Sequence, residues 1–257
     1  MKYTKFDYHP SETGTHDDDI ITWWENHWDG RNDLRRNLYK EPSWGTIEDV
    51  LAQPGNLLEA GCALGHWVQF LNNLGHRAIG IDFAFKALKA GKTIDKGLLM
   101  VCGDLRSLPF HDESFDYIVS FGAVEHDING PQAALKEFQR IIKPSGYLMC
   151  SVPCLNIERT LLIGWYILRD WLKKQEALRR LARKTDPFKF YEYIYSPRSY
   201  RNILLKCGFR VVSLRPYAYP MKGKKGYILG KHMSKVLKFY NPHMMMAICR
   251  KEQVGQK

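Results

Sequence analysis

Acidic side chains end three successive apolar segments of the chain. Glu59 closes the segment LLE, Asp82 closes IGID, and Asp104 follows VCG. The carboxyl ends of parallel strands meet at one edge of a sheet, so we expect these three carboxylates to lie near one another. Carboxylates accept hydrogen bonds and attract positive charge. The pattern therefore predicts a site for a polar ligand, and Glu59 suits one that carries an ammonium or sulfonium charge.

Two glycines follow the first of these acids at a predicted junction of strand and helix. Gly61 and Gly65 would permit a tight turn and let a ligand approach bare backbone, beside the unpaired N–H groups of the helix N-terminus. The dinucleotide pattern GxGxxG would require glycines where the chain has Ala63 and His66. Glu59 would also repel a pyrophosphate. Taken alone, however, Glu59 could instead cap the helix and Gly65 could serve packing.

The second and third acids indicate what else the ligand carries. Asp82 stands 82 − 61 = 21 residues after Gly61, the separation at which an acid accepts hydrogen bonds from ribose hydroxyls. Asp104 is placed to accept a hydrogen bond from an adenine amino group. The apolar neighbours Phe83 and Leu105 could cover the adenine ring.

Alternating strand and helix patterns must position these residues. Strands are predicted at residues 55–60, 77–82, 98–104, 115–124, 146–153, 209–217 and 243–251, and helices at 65–75, 85–93, 131–146, 157–184 and 197–208. The alternation favours an α/β fold, a Rossmann-like doubly wound and mainly parallel seven-stranded sheet with helices on both faces. An N-terminal helical segment and a helical insertion between strands 5 and 6 are added to it.

The whole chain, residues 1–257, is expected to form a single domain with four parts. These are an N-terminal helical lid segment at 1–45, a cofactor-binding core at 50–153, the helical insertion at 154–196 and the C-terminal part of the sheet at 197–257.

Taken together, the motifs resemble those of class I S-adenosylmethionine-dependent methyltransferases, and more closely the small-molecule branch that includes the ubiquinone and menaquinone methylases (methyltransferase type 11-like). The resemblance is strong over residues 50–155 and weaker over 190–212. It rests on Glu59-x-Gly61-x-x-x-Gly65, with Ala63 in place of the family's middle glycine, and on Asp82, Gly103-Asp104, Leu108-Pro109-Phe110, Glu125-His126 and Lys143-Pro144-Ser145-Gly146.

The resemblance implies S-adenosyl-L-methionine as the cofactor and methyl transfer to an oxygen, nitrogen or carbon atom of a small molecule. The implied cofactor-binding residues are Glu59, Gly61, Cys62, Ala63, Gly65, Asp82, Phe83, Asp104, Leu105, Phe121 and Gly122. His126 is the candidate catalytic residue, as a base for a hydroxyl or amine, although it could instead anchor its loop. Candidate substrate-lid residues are Trp23, Trp24, Trp28, Tyr191 and Tyr195.

The formal charge of +11 raises two further possibilities for partners. Basic residues are concentrated at 169–184 and 222–238, and the amphipathic stretch 157–184 suggests peripheral membrane contact. A nucleic-acid methyltransferase is disfavoured, because the segment SFGAVEH lacks the N/D-P-P-Y/F motif of base-modifying enzymes. A catalytically inactive cofactor-binding scaffold is the remaining alternative.

The cysteines, the acidic N-terminal residues and the hydropathy of the chain argue against disulfides, a metal site and a membrane span. The six cysteines are scattered without CxxC spacing, which is typical of reduced thiols in a cytoplasmic protein. His16 and the three following aspartates would diverge on a helix, so we expect no metal site. Neither a secretory signal nor a run of about 18 apolar residues is present. The sequence leaves the methyl acceptor and the oligomeric state open.

Overall fold

The protein is described by a computed structural model that covers residues 2–5, 22, 24–27, 37–156, 192–217 and 242–252. Its strands are β1 (Lys2–Lys5), β2 (Asn56–Ala60), β3 (Arg77–Asp82), β4 (Met100–Cys102), β5 (Phe115–Phe121), β6 (Ile142–Pro153), β7 (Glu192–Tyr195), β8 (Phe209–Tyr217) and β9 (Met244–Lys251). Its helices are α1 (His66–Asn73), α2 (Phe85–Ile94), α3 (Gln132–Ile141) and α4 (Pro197–Lys206), and short 3-10 turns lie at Leu38–Lys40, Trp44–Thr46 and Val124–His126.

The main sheet has seven strands in the order β4-β3-β2-β5-β6-β9-β8. The strands from β4 to β6 are parallel, and β9 runs antiparallel to both of its neighbours. The predicted mainly parallel seven-stranded α/β sheet is therefore confirmed. From β2 the chain moves outward through β3 to β4 and then returns to β5 on the other side of β2. The β2–β5 boundary is thus a topological switch point, where open α/β sheets bind ligands.

Apolar clusters cover both faces of this sheet. Neighbouring residues of β2 and β5 enter opposite clusters, with Leu58 and Ile118 on one face and Leu57 and Val119 on the other. This alternation follows from the two-residue period of a strand. Burial on both faces explains why these strands read as continuous apolar runs in the sequence.

Helix α3 is shorter than its predicted extent of 131–146. It ends at Ile141, and Ile142 already has extended backbone with φ −80° and ψ 139°. Strand β6 then includes Pro144 and Gly146. A Cβ at Gly146 would lie 2.7 Å from Ile142 Cγ1 and 2.8 Å from the Asp116 carbonyl oxygen, so the chain passes close to β5 here. Strand β4 is also shorter than the predicted 98–104.

A second, two-stranded sheet joins the N-terminal strand β1 to β7, which precedes α4. β1 pairs antiparallel with β7, with Lys2 opposite Tyr195 and Lys5 opposite Glu192. No strand was expected within either 1–45 or 154–196, because the pairing joins segments far apart in sequence and leaves no local periodicity. Most of the predicted helical insertion, at 157–191, lies outside the described residues, as do the basic stretches 169–184 and 222–238.

None of the helices in the described part of the chain is long and apolar enough to cross a membrane.

Candidate functional site

The loop between β2 and α1 is bound to the neighbouring strand through its backbone. The Gly61 and Cys62 N–H groups both donate to the Ile81 carbonyl, at 2.8 and 3.1 Å. Gly61 has φ +84°, and a Cβ at this position would lie 2.6 Å from the Ala123 Cβ. Glycine is therefore required both for the left-handed backbone and for the close approach to the segment after β5.

Ala63 stands where the family motif has its middle glycine, and its backbone lies in the left-handed region that glycine favours. Its φ is +48°, in the left-handed region, which costs a non-glycine residue about 1 kcal/mol or more. Its N–H donates to Asp82 Oδ2 at 2.8 Å. The departure from the family motif thus leaves the loop in a glycine-like path.

Asp82 ends β3, and its carboxylate connects the glycine loop after β2 to the start of α2. Oδ2 accepts from Ala63 N, and Oδ1 accepts from Ala84 N at 2.8 Å. Burial raises the pKa of this carboxyl, against the lowering effect of the backbone N–H groups. A carboxylate has about four acceptor positions, so two bonds leave both oxygens able to accept from the hydroxyls of a ribose. The Asp82 geometry therefore fits the role that the sequence assigns to it.

Glu59 lies at the same edge but is almost enclosed, with 3% of its surface exposed. Its Oε2 accepts a hydrogen bond of 2.9 Å from Val68 N, in the first turn of α1. Burial raises the pKa of the Glu59 carboxyl well above its usual value, and the nearby Asp82 charge raises it further. Glu59 thus fixes the start of α1 and places an acidic group beneath the glycine loop.

Asp104 lies beyond β4 and is held by Arg106. The Arg106 Nε and Nη2 atoms lie 3.1 Å from Oδ1 and 2.7 Å from Oδ2, respectively. Partial burial opposes the charge on Asp104, but the hydrogen bonds from Arg106 outweigh it and lower the pKa of the carboxyl. The predicted contact with adenine would therefore involve a carboxylate that is already paired. Nearby Phe83 and Leu105 are half-buried and pack against the two apolar clusters.

An aromatic stack forms the wall at the end of β5. The Phe121 and Trp67 rings are stacked, with centroids 4.5 Å apart and an interplanar angle of 22°. Gly122 follows with φ +70°, and its N–H donates to the Ser151 carbonyl at 3.2 Å. Trp67 was not among the predicted site residues, although its place in the first turn after the glycine loop could have indicated it.

The Val124–His126 turn follows β5 and lies beside Gly122. Glu125 is 2% exposed, and a Cβ at Gly122 would lie 3.3 Å from its Oε1. The His126 ring packs edge-on against the Trp24 ring, with centroids 5.2 Å apart. Tyr195 is fully buried, with its ring 5.6 Å from that of Tyr200. The other predicted lid residues, Trp23, Trp28 and Tyr191, lie outside the described residues.

Comparison with known proteins agrees with this geometry. Residues 58–150 match the family model described as "Methyltransferase domain". The match supports the resemblance to class I S-adenosylmethionine-dependent methyltransferases that the sequence motifs indicated. The match spans β2 to β6 and so contains the glycine loop, Asp82, Asp104 and the Glu125-His126 pair.

The chain resembles curated relatives of the predicted branch and shares its fold with a solved methyltransferase structure. It is similar to the demethylmenaquinone methyltransferase of Staphylococcus saprophyticus, with 35% identity over 36% of this chain and 42% of the relative. The corresponding protein of Roseiflexus castenholzii is 31% identical over 62% of this chain and 66% of its own length. The chain thus spans less than two thirds of these relatives. A SAM-dependent methyltransferase from Methanosarcina mazei shares the fold, with a TM-score of 0.60, 21% identity and coverage of 82% and 98%.

A cavity of about 730 Å³ in this chain lies away from the glycine loop. Its lining includes Asn56, Arg77, Leu99 and Ser114, which lie at the amino-terminal ends of the strands. Ligands of this fold bind at the carboxyl ends. The cavity is therefore not assigned to the cofactor.

Proposed function

We propose that this chain transfers a methyl group from S-adenosylmethionine to an oxygen, nitrogen or carbon atom of a small molecule. The observation that carries the proposal is the position of Asp82. Its carboxylate holds the glycine loop through Ala63 N and the start of α2 through Ala84 N, at the edge next to the switch point. The residues that would hold the cofactor therefore form one backbone-braced unit.

Each part of this edge has a separate task in the proposed reaction. Gly61 and Gly65 allow the left-handed backbone and close packing that shape the loop around the cofactor, and Asp82 accepts from the cofactor's ribose hydroxyls. Glu59 places an acidic group beneath the loop, toward the cationic part of the cofactor. The Phe121–Trp67 stack is an apolar wall that excludes water from one side.

The bound cofactor would supply a methyl group on a positively charged sulfur, so the protein mainly has to align the acceptor and exclude water. For a hydroxyl or amine acceptor, His126 is the proposed base, since imidazole titrates near neutral pH. Trp24 packs against the His126 ring and would hold it in place.

Titration calorimetry with S-adenosylhomocysteine tests the cofactor site. We expect one binding event per chain in the wild type and binding weakened by about tenfold or more in Asp82→Asn, since a charge-assisted hydrogen bond contributes about 1.5–3 kcal/mol. Asp112→Asn makes the same change at an exposed carboxylate that pairs with Arg140 and should bind as the wild type does. Lack of binding by folded wild-type protein, or equal binding by both variants, would count against the proposal.

The acceptor class is a separate part of the proposal. The two relatives described above are demethylmenaquinone methyltransferases, which supports a quinone-like ring as one acceptor, while a soluble metabolite is the other. Transfer of labelled methyl groups to a demethylmenaquinone analogue, with and without anionic vesicles, separates them. Peripheral membrane contact through residues 157–184 remains a prediction. If it is correct, methyl transfer should be faster in the presence of anionic vesicles.

The charge of +11 supports one other candidate, an RNA acceptor. In that case labelled methyl groups would enter RNA, and binding would weaken steeply with salt. Transfer to small molecules alone would remove this candidate. Absence of transfer to any component of a cell extract, despite cofactor binding, would instead indicate an inactive scaffold.

A further inference from the structure

Three side chains that can ligate a metal form a cluster after β5. This region, Glu125, His126 and Glu192, is called the acceptor side because it contains the base proposed for the acceptor. Glu125 and His126 come from the turn after β5, and Glu192 is the first residue of β7. One ligand atom from each residue lies within 4.8 Å of the other two. This cluster was not predicted from the sequence, because Glu192 joins Glu125 and His126 only through the fold.

Burial makes it unfavourable to keep both carboxyl groups ionised at this distance. The two glutamates are 2% and 8% exposed. Like charges held close together in a poorly solvated place repel each other, and each also loses its hydration. A divalent cation between them would offset both effects.

A separate observation concerns a neighbouring hydroxyl. Tyr195 is fully buried, and its hydroxyl has no hydrogen-bond partner among the residues that the structure describes. Burial raises the pKa of the Tyr195 hydroxyl, and the nearby Glu125 carboxyl raises it further. Buried hydroxyls normally have a partner, so this one has the capacity to bind a water on a cation held by the cluster.

We propose that Glu125, His126 and Glu192 bind one divalent transition-metal ion, and in the metal-bound protein His126 is then a ligand and not the base named above. Imidazole and carboxylate ligands together suit Mn²⁺ or Zn²⁺. Ligand atoms lie about 2.0–2.2 Å from Zn²⁺, so the three side chains would move together by about an ångström on binding. Three protein ligands leave coordination positions open, which is typical of catalytic metal sites and not of structural ones.

Titration of the cofactor-free protein with Mn²⁺, followed by the electron paramagnetic resonance of free Mn²⁺, tests this inference. We expect one Mn²⁺ per chain in the wild type and binding weaker by about tenfold or more in Glu192→Gln and Glu125→Gln. Glu48→Gln makes the same change at an exposed glutamate outside the cluster and should leave the affinity unchanged. Circular dichroism of each variant establishes that it is folded.

A second measurement locates the ion. Because the Trp24 ring lies 5.2 Å from the His126 ring, bound Mn²⁺ should broaden the Trp24 indole N–H resonance, which is assigned by its loss in Trp24→Phe. Lack of Mn²⁺ and Zn²⁺ binding by the folded wild type, or equal binding by Glu192→Gln, overturns the inference. The assay contains no cofactor, so its failure leaves the proposed methyl transfer untouched, and failure of cofactor binding leaves the metal result valid.

Discussion

The cofactor edge and the acceptor side of this site are built in different ways. At the cofactor edge, Glu59 and Asp82 bond to backbone N–H groups of the glycine loop and of the helices that follow. On the acceptor side, side chains from residues 125–126 meet Glu192 from β7. The first region depends on backbone path and the second on long-range strand pairing. Substitutions should therefore affect them differently.

The largest expected effect comes from a methyl group added to the glycine loop. Gly61→Ala combines a φ of +84° with a Cβ placed 2.6 Å from the Ala123 Cβ. Left-handed strain of about 1–2 kcal/mol and overpacking of about 1–3 kcal/mol should together lower the free energy of unfolding by about 2–5 kcal/mol. Urea unfolding measures the loss.

Alanine substitutions at two other glycines separate the cost of left-handed backbone from the cost of steric overlap. Gly75 has φ +91°, but its added Cβ would touch only Pro54 at 3.9 Å, so Gly75→Ala should cost about 1 kcal/mol. Gly45 has ordinary φ and open space, and Gly45→Ala should stay within about 0.5 kcal/mol of wild type. If all three variants lose equal stability, the close approach of the loop to Ala123 has no energetic importance.

The pH dependence of stability tests the burial of Glu59. Its pKa is raised from 4.5 by burial. Above pH 4.5 the unfolded chain loses this proton first, so the folded state binds more protons and wild-type stability falls with rising pH, by at most about 1.4 kcal/mol per pH unit. The fall ends once the pH passes the folded-state pKa.

Glu59→Gln removes that contribution and keeps a side-chain oxygen for Val68 N. The free energy of unfolding of the variant, relative to wild type, should therefore increase with pH above 4.5 and then level off. Urea unfolding between pH 5 and 8 gives both curves. Parallel curves would show that Glu59 is solvated and does not brace α1 in the way described.

On the acceptor side, two buried tyrosine hydroxyls give a smaller contrast. Tyr200 donates to the Cys150 carbonyl at 3.2 Å, so Tyr200→Phe should cost about 1 kcal/mol. The Tyr195 hydroxyl has no such bond among the described residues, and Tyr195→Phe should be neutral in metal-free protein. A loss in Tyr195→Phe equal to that in Tyr200→Phe would mean that the Tyr195 hydroxyl is already well bonded without a cation.

The same difference between local and long-range structure explains which parts of the site could be predicted from the sequence. The strands, the switch point and the Gly61 and Asp82 positions follow local apolar periodicity and fixed spacing, which a single sequence displays. The pairing of Lys5 with Glu192 has no local signal, so neither β7 nor the Glu125–Glu192 cluster was predicted. The salt bridge between Arg106 and Asp104 was not predicted for another reason. Only the geometry of the turn places the guanidinium beside the carboxylate.

The smallest expected effect tests the one departure from the family's loop motif. Ala63 keeps φ +48°, so Ala63→Gly removes left-handed strain but adds conformational entropy to the unfolded chain. These terms oppose each other, and the strain is the larger, so stability should rise by up to about 1 kcal/mol. The Asp82 bond to residue 63 uses only the backbone N–H and should survive, so affinity for S-adenosylhomocysteine should stay within about twofold. Calorimetry and urea unfolding on the same samples check both values. A large change in affinity would show that the Ala63 methyl group itself contacts the cofactor, and the cofactor edge would then depend on side chains as the acceptor side does.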